Sequence, residues 1–285
     1  MDNQSTYQQV IAANIALHSK MADDYSTCEP HFRPENVQQV EAKLKSVFDA
    51  VQATKMLDLG CGTGFMINIA KKYLQQIDGV DVTQAMMDKV DRSGDCVINL
   101  HNHDTGTFPA EPGFYDVVTG YSFLHHLYDI VPTIQTAYKA LKPGGKFYAD
   151  LDPNYYYWEQ INQLDRNGSY PAVVKREIEM VTYKDEDIEN NFGVSKDIFN
   201  NAEFGKNIQG GFKEEALREA LGKAGFSHVE VFYYWFLGQA GMINDETIPD
   251  KAQRLQNAAL VDSTLQGVLP VSRCLYKYLG FIATK

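Results

Sequence analysis

The chain lacks the features that mark disulfide-rich, zinc-binding or membrane-spanning proteins. Its 285 residues include only four cysteines, which are widely scattered and form no C-x-x-C pair, so neither a disulfide framework nor a zinc site is predicted. No stretch of about 18 residues is apolar throughout, and the first residues do not combine a basic region with an apolar run and a cleavage site. We therefore expect a soluble, cytoplasmic protein with no membrane partner.

Positive charge is also scarce. The formal net charge is -11 and no run of Lys or Arg offsets it, so most of the surface should repel a phosphate backbone. Nucleic acid is accordingly excluded as an expected partner. The chain also lacks internal repeats and low-complexity tracts, while its hydrophobic fraction of 44% is that of an ordinary folded protein.

The pattern of apolar residues divides the chain into four predicted parts. Residues 1–50 read as a helical cap that is interrupted where Pro30 and Pro34 exclude a continuous helix. Residues 51–151 alternate short apolar runs with amphipathic helices, which predicts a doubly wound α/β core with a parallel sheet. The alternation stops over residues 152–211, which predicts an insertion that acts as a lid. Residues 212–285 then resume with a helix and two further strands, at 229–237 and 274–283.

A glycine-rich turn follows the first predicted strand directly. The segment LDLGCGTG, from Leu57 to Gly64, places Gly60, Gly62 and Gly64 between a strand and a helix, where the backbone must turn tightly and let a ligand approach. The position at which a dinucleotide-binding fingerprint has its third glycine is Phe65, so a nicotinamide dehydrogenase is disfavoured.

An acidic residue ends the second predicted strand, about twenty residues after the loop. Asp81, in the segment GVDVT, lies at the carboxyl edge of the sheet, where its carboxylate can accept hydrogen bonds from both hydroxyls of a ribose. The sequence therefore predicts a nucleoside ligand beside the glycine loop.

Together with FYDVVTGYSFLHHL and LKPGGKF, these motifs resemble those of class I S-adenosylmethionine-dependent methyltransferases. The resemblance implies a Rossmann-like, seven-stranded sheet that ends in an antiparallel hairpin, and S-adenosylmethionine as cofactor with S-adenosylhomocysteine as product. It implies that Asp81 binds the ribose, Val82 packs on the adenine and Asp104 meets the exocyclic amine. The remaining cofactor-binding residues that it implies are Asp58, Gly60, Gly62 and Gly64 for the methionine part, with Thr105 and Tyr121 completing the site.

Methyl transfer is an in-line displacement, so the protein must mainly align donor and acceptor and exclude water. Two aromatic clusters, residues 155–158 and 232–236, could line a pocket for an aromatic or apolar small molecule, or could simply pack in the core. An acidic run in the insertion is interpreted as a solvated face. It comprises Glu177, Glu179, Asp185, Glu186, Asp187 and Glu189.

Two residues are predicted to be catalytic. His126 follows the fourth strand, near where the acceptor must lie, and histidine is the commonest proton acceptor at neutral pH, although it could also merely pack there. The segment with Asn14, His18 and Tyr25 resembles the cap of small-molecule methyltransferases, in which a tyrosine closes over the cofactor. Phosphobase methyltransferases pair such a tyrosine with a histidine at the position of His126, so the resemblance assigns Tyr25 as its partner. The rest of the chain departs from that family, so the family's substrate does not carry over.

Several alternatives remain open at the level of the sequence. A non-catalytic regulatory or scaffolding protein that binds S-adenosylmethionine or S-adenosylhomocysteine would share the same loop. No metal is predicted, since His101 and His103 form only a lone H-x-H pair. Oxygen and nitrogen are the favoured acceptor atoms, although carbon and sulfur are not excluded, and the oligomeric state is open.

Overall fold

A seven-stranded mixed sheet forms the centre of the molecule in the computed structural model, which describes residues 3–181 and 185–285. Its spatial order is β3-β2-β1-β4-β5-β7-β6; the first five strands are parallel, and β7 is antiparallel to both β5 and β6. The strands are β1 (Lys55–Leu59), β2 (Gln76–Asp81), β3 (Val97–Asn102), β4 (Tyr115–Tyr121), β5 (Leu141–Pro153), β6 (His228–Phe236) and β7 (Tyr276–Thr284). The predicted doubly wound sheet with a final antiparallel hairpin is confirmed.

Helices cover both faces of the sheet and its carboxyl edge. The described residues form α1 (Asn3–Met21), α2 (Tyr25–Cys28), α3 (Pro34–Val51), α4 (Phe65–Ala70), α5 (Gln84–Met87), α6 (Val131–Ala140), α7 (Tyr155–Gln163), α8 (Ala172–Val181), α9 (Asp185–Phe192), α10 (Lys196–Ala202), α11 (Glu214–Ala224), α12 (Gln239–Ile243) and α13 (Lys251–Gln266). Short 3-10 helices span Pro30–Phe32, Leu124–His126 and Val271–Leu275, and a π-helical turn spans Phe204–Ile208. None of the helices in these two described stretches is long and apolar enough to cross a membrane.

The central strands β1 and β4 are buried on both faces, because helices cover each face of the sheet. Neighbouring residues of β1 point to opposite sides of the sheet, so Met56 joins one core cluster and Leu57 the other. The same alternation assigns Val117 and Val118 of β4 to different clusters. The sheet thus separates two hydrophobic cores. The parallel pairing of β1 with β2 and β4 brings the carboxyl ends of these strands to one edge.

The helices of the N-terminal region are interrupted at the two prolines, as the sequence predicts. A 3-10 turn begins at Pro30, and α3 begins at Pro34, the first helical position, where a missing N–H costs nothing. Val40, Leu44 and Val47 form the buried stripe of α3, which packs against one face of the sheet.

Residues 152–211 form helices that pack on the N-terminal region. Leu17 of α1 shares an apolar cluster with Phe199 and Ala202 of α10, so these two helices form one layer over the carboxyl edge of the sheet. The interpretation of the acidic run as solvated is wrong for Glu177, which is buried, accepts a hydrogen bond from the Tyr157 hydroxyl at 2.8 Å and pairs with Lys277. The Lys277 pairing links α8 to β7, and the other acidic residues of the run are exposed.

Two helices, α12 and α13, lie between β6 and β7, where the apolar pattern predicted no element. Ala258 is the only buried residue of α13, while Leu260 is 70% exposed. A helix with so little buried apolar surface has no clear amphipathic stripe, which is why the sequence pattern did not reveal it.

Candidate functional site

The glycine loop lies between β1 and α4, and its glycines are required by geometry. Gly60 has a φ of 71°, and a Cβ at this position would lie 2.0 Å from the Phe123 ring. The N–H groups of Gly60 and Cys61 donate to the Val80 carbonyl at 2.8 and 3.1 Å, which ties the loop to β2. No larger residue could occupy position 60 without moving the aromatic ring.

Asp81 faces the loop from the end of β2. Its carboxylate accepts hydrogen bonds from the backbone N–H of Gly62 at 2.9 Å and of Thr83 at 2.8 Å. Burial raises the pKa of the Asp81 carboxyl, although these two hydrogen bonds act to lower it. The carboxylate is therefore fixed in one orientation at the end of β2, and its role toward a ribose stays a prediction.

Asp58 contributes a buried carboxylate of which only one oxygen is hydrogen-bonded within the described residues. Its Oδ1 accepts a hydrogen bond from the Thr119 hydroxyl at 2.7 Å, whereas Oδ2 has no partner among the described residues. The hydroxyl of Thr63 at the same loop is likewise buried without a partner in that part of the chain. Burial raises the pKa of Asp58 to about 7. A buried polar atom without a partner is costly, so the site fits a ligand that donates a hydrogen bond or carries positive charge.

These groups line a first cavity of about 1020 Å³, which includes its opening to solvent. The predicted residues that line it are Asp58, Gly60, Gly62, Asp81, Val82, Asp104, Thr105, Tyr121, Tyr25 and His126. Gly64 is not part of the lining; it precedes α4 with a φ of 87° and faces Val90. Ten of the eleven predicted residues thus surround one space, although their roles toward a ligand stay predictions.

Tyr7 of α1 reaches the same cavity and was missed by the sequence analysis. Its hydroxyl donates to the Asp104 carboxylate, whose other oxygen accepts the Gly106 N–H at 3.0 Å. Asp104 lies 97 positions further along the chain, so no local motif could have linked the two residues. This contact closes α1 over the cavity.

A second cavity of about 930 Å³, which also includes its opening to solvent, adjoins the first. The residues that line both are His18, Tyr25, His31, Ser122 and His126. Tyr25 lies between the rings of His18 and His31, at centroid distances of 6.4 and 5.9 Å. The two residues predicted to be catalytic, Tyr25 and His126, therefore stand where the two cavities meet.

Backbone strain is concentrated at the second cavity. Four non-glycine residues among those described have a positive φ, and three of them, Ser122, Leu151 and Trp235, line this cavity. Such conformations cost of the order of 1–3 kcal/mol each and are concentrated at functional sites. Trp235 is also the only member of the two predicted aromatic clusters that lines this cavity; Tyr157 and Trp158 instead pack in a core cluster.

The histidine pair after β4 is held rigidly. His125 Nδ1 lies 2.8 Å from the Asp152 carboxylate, and His126 Nδ1 donates to the Ala202 carbonyl at 2.8 Å. The side chain of Asn14 donates to the His126 carbonyl at 2.9 Å. Burial lowers the pKa of His125 to about 4 and lowers that of His126 well below its ordinary value. Both imidazoles are accordingly neutral at pH 7.

Glu203 completes this cluster and was also missed. One of its carboxylate oxygens lies 3.9 Å from His125 Nε2 and the other 3.7 Å from His126 Nδ1, and Lys206 is 3.5 Å away. Burial acts to raise the pKa of Glu203, but opposing interactions, of which the charge of Lys206 is the largest, hold it below its ordinary value. Gly205 permits this arrangement, because a Cβ there would lie 2.8 Å from the Cα of His125.

His125, His126 and Glu203 offer ligand atoms within 4.8 Å of one another, so their spacing could hold a metal ion. However, the His126 nitrogen nearest to Glu203 is Nδ1, which already donates to the Ala202 carbonyl. The arrangement fits a hydrogen-bonded cluster better than a ligand set, and the prediction of no metal stays a prediction.

The known proteins to which this chain is similar are methyltransferases. Residues 57–149 match the family described as a methyltransferase domain. A ubiquinone biosynthesis O-methyltransferase from Idiomarina loihiensis is 26% identical over 171 residues, which cover 55% of this chain and 67% of that protein. The corresponding protein of Vibrio cholerae is 28% identical over 52% of this chain and 63% of its own length. The matched region thus spans about two thirds or less of these relatives.

Solved structures with the same fold have lower identity. A methyltransferase from Archaeoglobus fulgidus described as SAM-dependent is 15% identical at a TM-score of 0.51, with 87% of this chain and 94% of that chain covered. A Haemonchus contortus phosphoethanolamine N-methyltransferase, solved with phosphomonomethylethanolamine and S-adenosylhomocysteine, is 18% identical at a TM-score of 0.55. That likeness covers 98% of this chain and 60% of that chain. The sheet order, the glycine loop and the family match together identify residues 57–149 as a methyltransferase domain.

Proposed function

We propose that the protein transfers a methyl group from S-adenosylmethionine, bound in the first cavity, to a small molecule bound in the second. The observation that carries this proposal is that the two cavities adjoin through five shared residues. Methyl transfer in line needs the donor and the acceptor in one enclosed space, with their reacting atoms aligned.

The first cavity suits the donor by its polar groups. Asp58 offers an unpaired buried oxygen to a cationic group, and Asp81 offers a fixed carboxylate to hydroxyls. When bound, S-adenosylmethionine supplies a methyl group on a positively charged sulfur. The roles of Val82, Asp104, Thr105 and Tyr121 toward the adenosine are part of the same proposal.

In the second cavity, His126 and Tyr25 are proposed to orient the acceptor. His126 is neutral and its Nδ1 is fixed, so it presents Nε2 as a hydrogen-bond acceptor. Residues 152–211, proposed as a lid, supply Glu203 and Phe199 to this cavity, and residues 1–50, proposed as a cap, supply His18 and Tyr25. The core would then comprise residues 51–151 and 212–285.

The alternative, a non-catalytic protein that binds the same cofactor, would need only the first cavity. The strained Ser122, Leu151 and Trp235 at the second cavity favour catalysis, because such conformations persist mainly where function requires them.

Two measurements test the proposal. Thermal shifts with S-adenosylmethionine, S-adenosylhomocysteine and NAD should show stabilisation by the first two only, since only ligands of the native state raise its stability. A metabolite screen with radiolabelled methyl donor should then yield a labelled small molecule. Stabilisation by the donor without label transfer to any acceptor would favour the non-catalytic alternative.

A further inference from the structure

The charges that line the second cavity are unbalanced. Two carboxylates, Glu29 and Glu203, face it together with one ammonium group, that of Lys206. Burial lowers the pKa of both His31 and His125 to about 4, so these imidazoles add no positive charge at pH 7. Within the described lining, the carboxylates thus outnumber the ammonium groups by one.

We propose that the acceptor is an organic amine and that the methyl group is transferred to its nitrogen. This inference rests on the proposed function and adds the chemical class of the acceptor. It differs from the aromatic or apolar acceptor that the sequence suggested, because the ionisable groups reach the cavity from segments far apart in the chain.

Glu203 is the residue placed to bind the ammonium form of such an acceptor. Its side chain is only 14% exposed, and its distances to Lys206, His126 and His125 are 3.5, 3.7 and 3.9 Å. Charge-assisted hydrogen bonds are normally about 2.7–2.9 Å long. The carboxylate thus retains the capacity for a shorter bond to a cation that enters the cavity.

Aromatic side chains provide the rest of the recognition. Trp235 and Tyr278 line the cavity with their ring centroids 5.5 Å apart and their planes at 90°. Phe192 and Phe199 line the same space. Aromatic faces attract ammonium groups and also pack on an apolar substituent, so the cavity suits an amine that carries an aromatic or aliphatic tail.

Glu29 can accept the proton that the ammonium must lose. It lines the cavity with a side chain that is 33% exposed, so a proton can pass from it to solvent. Burial and the charge of Glu203 raise the pKa of its carboxyl, which makes it a better proton acceptor than an ordinary glutamate. The freed lone pair forms the new N–C bond while the S–C bond of the donor breaks and its electron pair stays on sulfur. The product is a methylated ammonium ion.

The test compares three aromatic probes of similar size on the protein saturated with S-adenosylhomocysteine. Phenethylamine has only the amine, 4-ethylphenol has only the phenol, and tyramine has both. By calorimetry we expect the two amines to bind at least about ten-fold more tightly than 4-ethylphenol. With labelled donor, mass spectrometry should locate the methyl group of tyramine on nitrogen.

Glu203→Gln should lower the affinity for phenethylamine about ten-fold or more and leave that for 4-ethylphenol unchanged. Glu29→Gln should lower the rate of methyl transfer to phenethylamine by a larger factor than it lowers the affinity for phenethylamine. The matched control is Glu189→Gln, which replaces an exposed glutamate of α9 and should change neither quantity. Affinity for S-adenosylhomocysteine shows that each variant is folded.

Three results would overturn the inference: equal binding of 4-ethylphenol and phenethylamine, methylation of tyramine on oxygen, or binding of none of the probes at about 1 mM by a protein that binds S-adenosylhomocysteine. If wild-type protein fails to bind S-adenosylhomocysteine at all, the proposed function has failed instead. The two failures are therefore distinguishable.

Discussion

The unpaired oxygen of Asp58 has a consequence for stability in the absence of ligand. Burial raises the pKa of the Asp58 carboxyl from 3.8 to about 7. Between these two pH values the folded protein therefore binds more protons at this site than the unfolded chain does. The free energy of unfolding should therefore fall as pH rises through this window, by at most about 4 kcal/mol at 1.36 kcal/mol per pKa unit.

Asp58→Asn should remove this dependence, because the amide keeps an acceptor for the Thr119 hydroxyl and cannot ionise. Urea unfolding of the wild-type protein and the variant at pH 4.5 and 7.5 measures how the free energy of unfolding depends on pH. We expect the variant to gain stability relative to wild type at the higher pH, while its affinity for S-adenosylmethionine falls. Identical pH dependence in the two proteins would show that Asp58 titrates normally.

Asp81→Ala should weaken S-adenosylmethionine and S-adenosylhomocysteine alike. The substitution removes a charged acceptor, worth roughly 1.5–3 kcal/mol or about ten-fold to a hundred-fold in affinity, and it frees the Gly62 N–H that the carboxylate now holds. Asp88→Ala, at an exposed position directly after α5, is the control. Calorimetry that finds unchanged affinity in a folded Asp81→Ala protein would remove this residue from the site.

His126 is expected to position the acceptor rather than remove its proton. A general base is most effective when its pKa lies near the working pH, and burial holds the pKa of His126 well below its ordinary value. His126→Ala should thus lower turnover about ten-fold, with the pH profile unchanged and cofactor affinity retained. A loss of about 10²–10⁴-fold, together with the disappearance of the acidic limb of the profile from pH 5 to 9, would identify a general base instead.

At the scale of elements, the π-helical turn after α10 controls where Glu203 lies. Gly205 approaches His125 so closely that an added Cβ would meet backbone atoms at 2.8 and 2.9 Å, and a backbone neighbour cannot rotate away as a side chain could. The turn would have to shift, and Glu203 would move with it. π-Helical turns are frequent at functional sites, which agrees with the proposed role of Glu203.

Gly205→Ala should consequently reduce turnover with any acceptor at least about ten-fold and leave the affinity for S-adenosylhomocysteine unchanged. Gly222→Ala in α11 is the matched control, because a Cβ there meets nothing within 4 Å and should stabilise the helix by up to about 1 kcal/mol. Steady-state kinetics and thermal unfolding of the two variants test this. Normal turnover in Gly205→Ala would mean that the position of the turn is not critical.

At the scale of the whole molecule, local sequence patterns predicted the α/β core and the glycine loop. The positions of the other residues of the candidate site depend on tertiary packing, which local patterns do not show. Gly60 and Asp81 were recognisable because the strand, the loop and the acidic residue follow one another within about twenty residues. Glu203 and Tyr7 were not, because each reaches its site only after helices from opposite parts of the chain pack together. The same packing explains why the aromatic residues 155–158 were ambiguous, since a run of aromatic residues is equally suited to a pocket and to a core.

Because α1 packs on α10, we expect binding of S-adenosylhomocysteine to protect these two helices together from hydrogen exchange. α1 contacts the first cavity through Tyr7 and holds the His126 carbonyl through Asn14, while its Leu17 shares an apolar cluster with α10. Segments that pack as one unit open as one unit, and a ligand of the closed state suppresses that opening.

Hydrogen exchange should therefore slow in both helices on addition of S-adenosylhomocysteine and remain unchanged in α13, which contributes no residue to either cavity. Tyr7→Phe keeps the ring but loses the hydrogen bond to Asp104, so the ligand should protect α1 and α10 less in this variant and the glycine loop equally well. Protection confined to the glycine loop in the wild-type protein would show that the two helices do not close over the ligand, because a closed layer cannot exchange as freely as an open one.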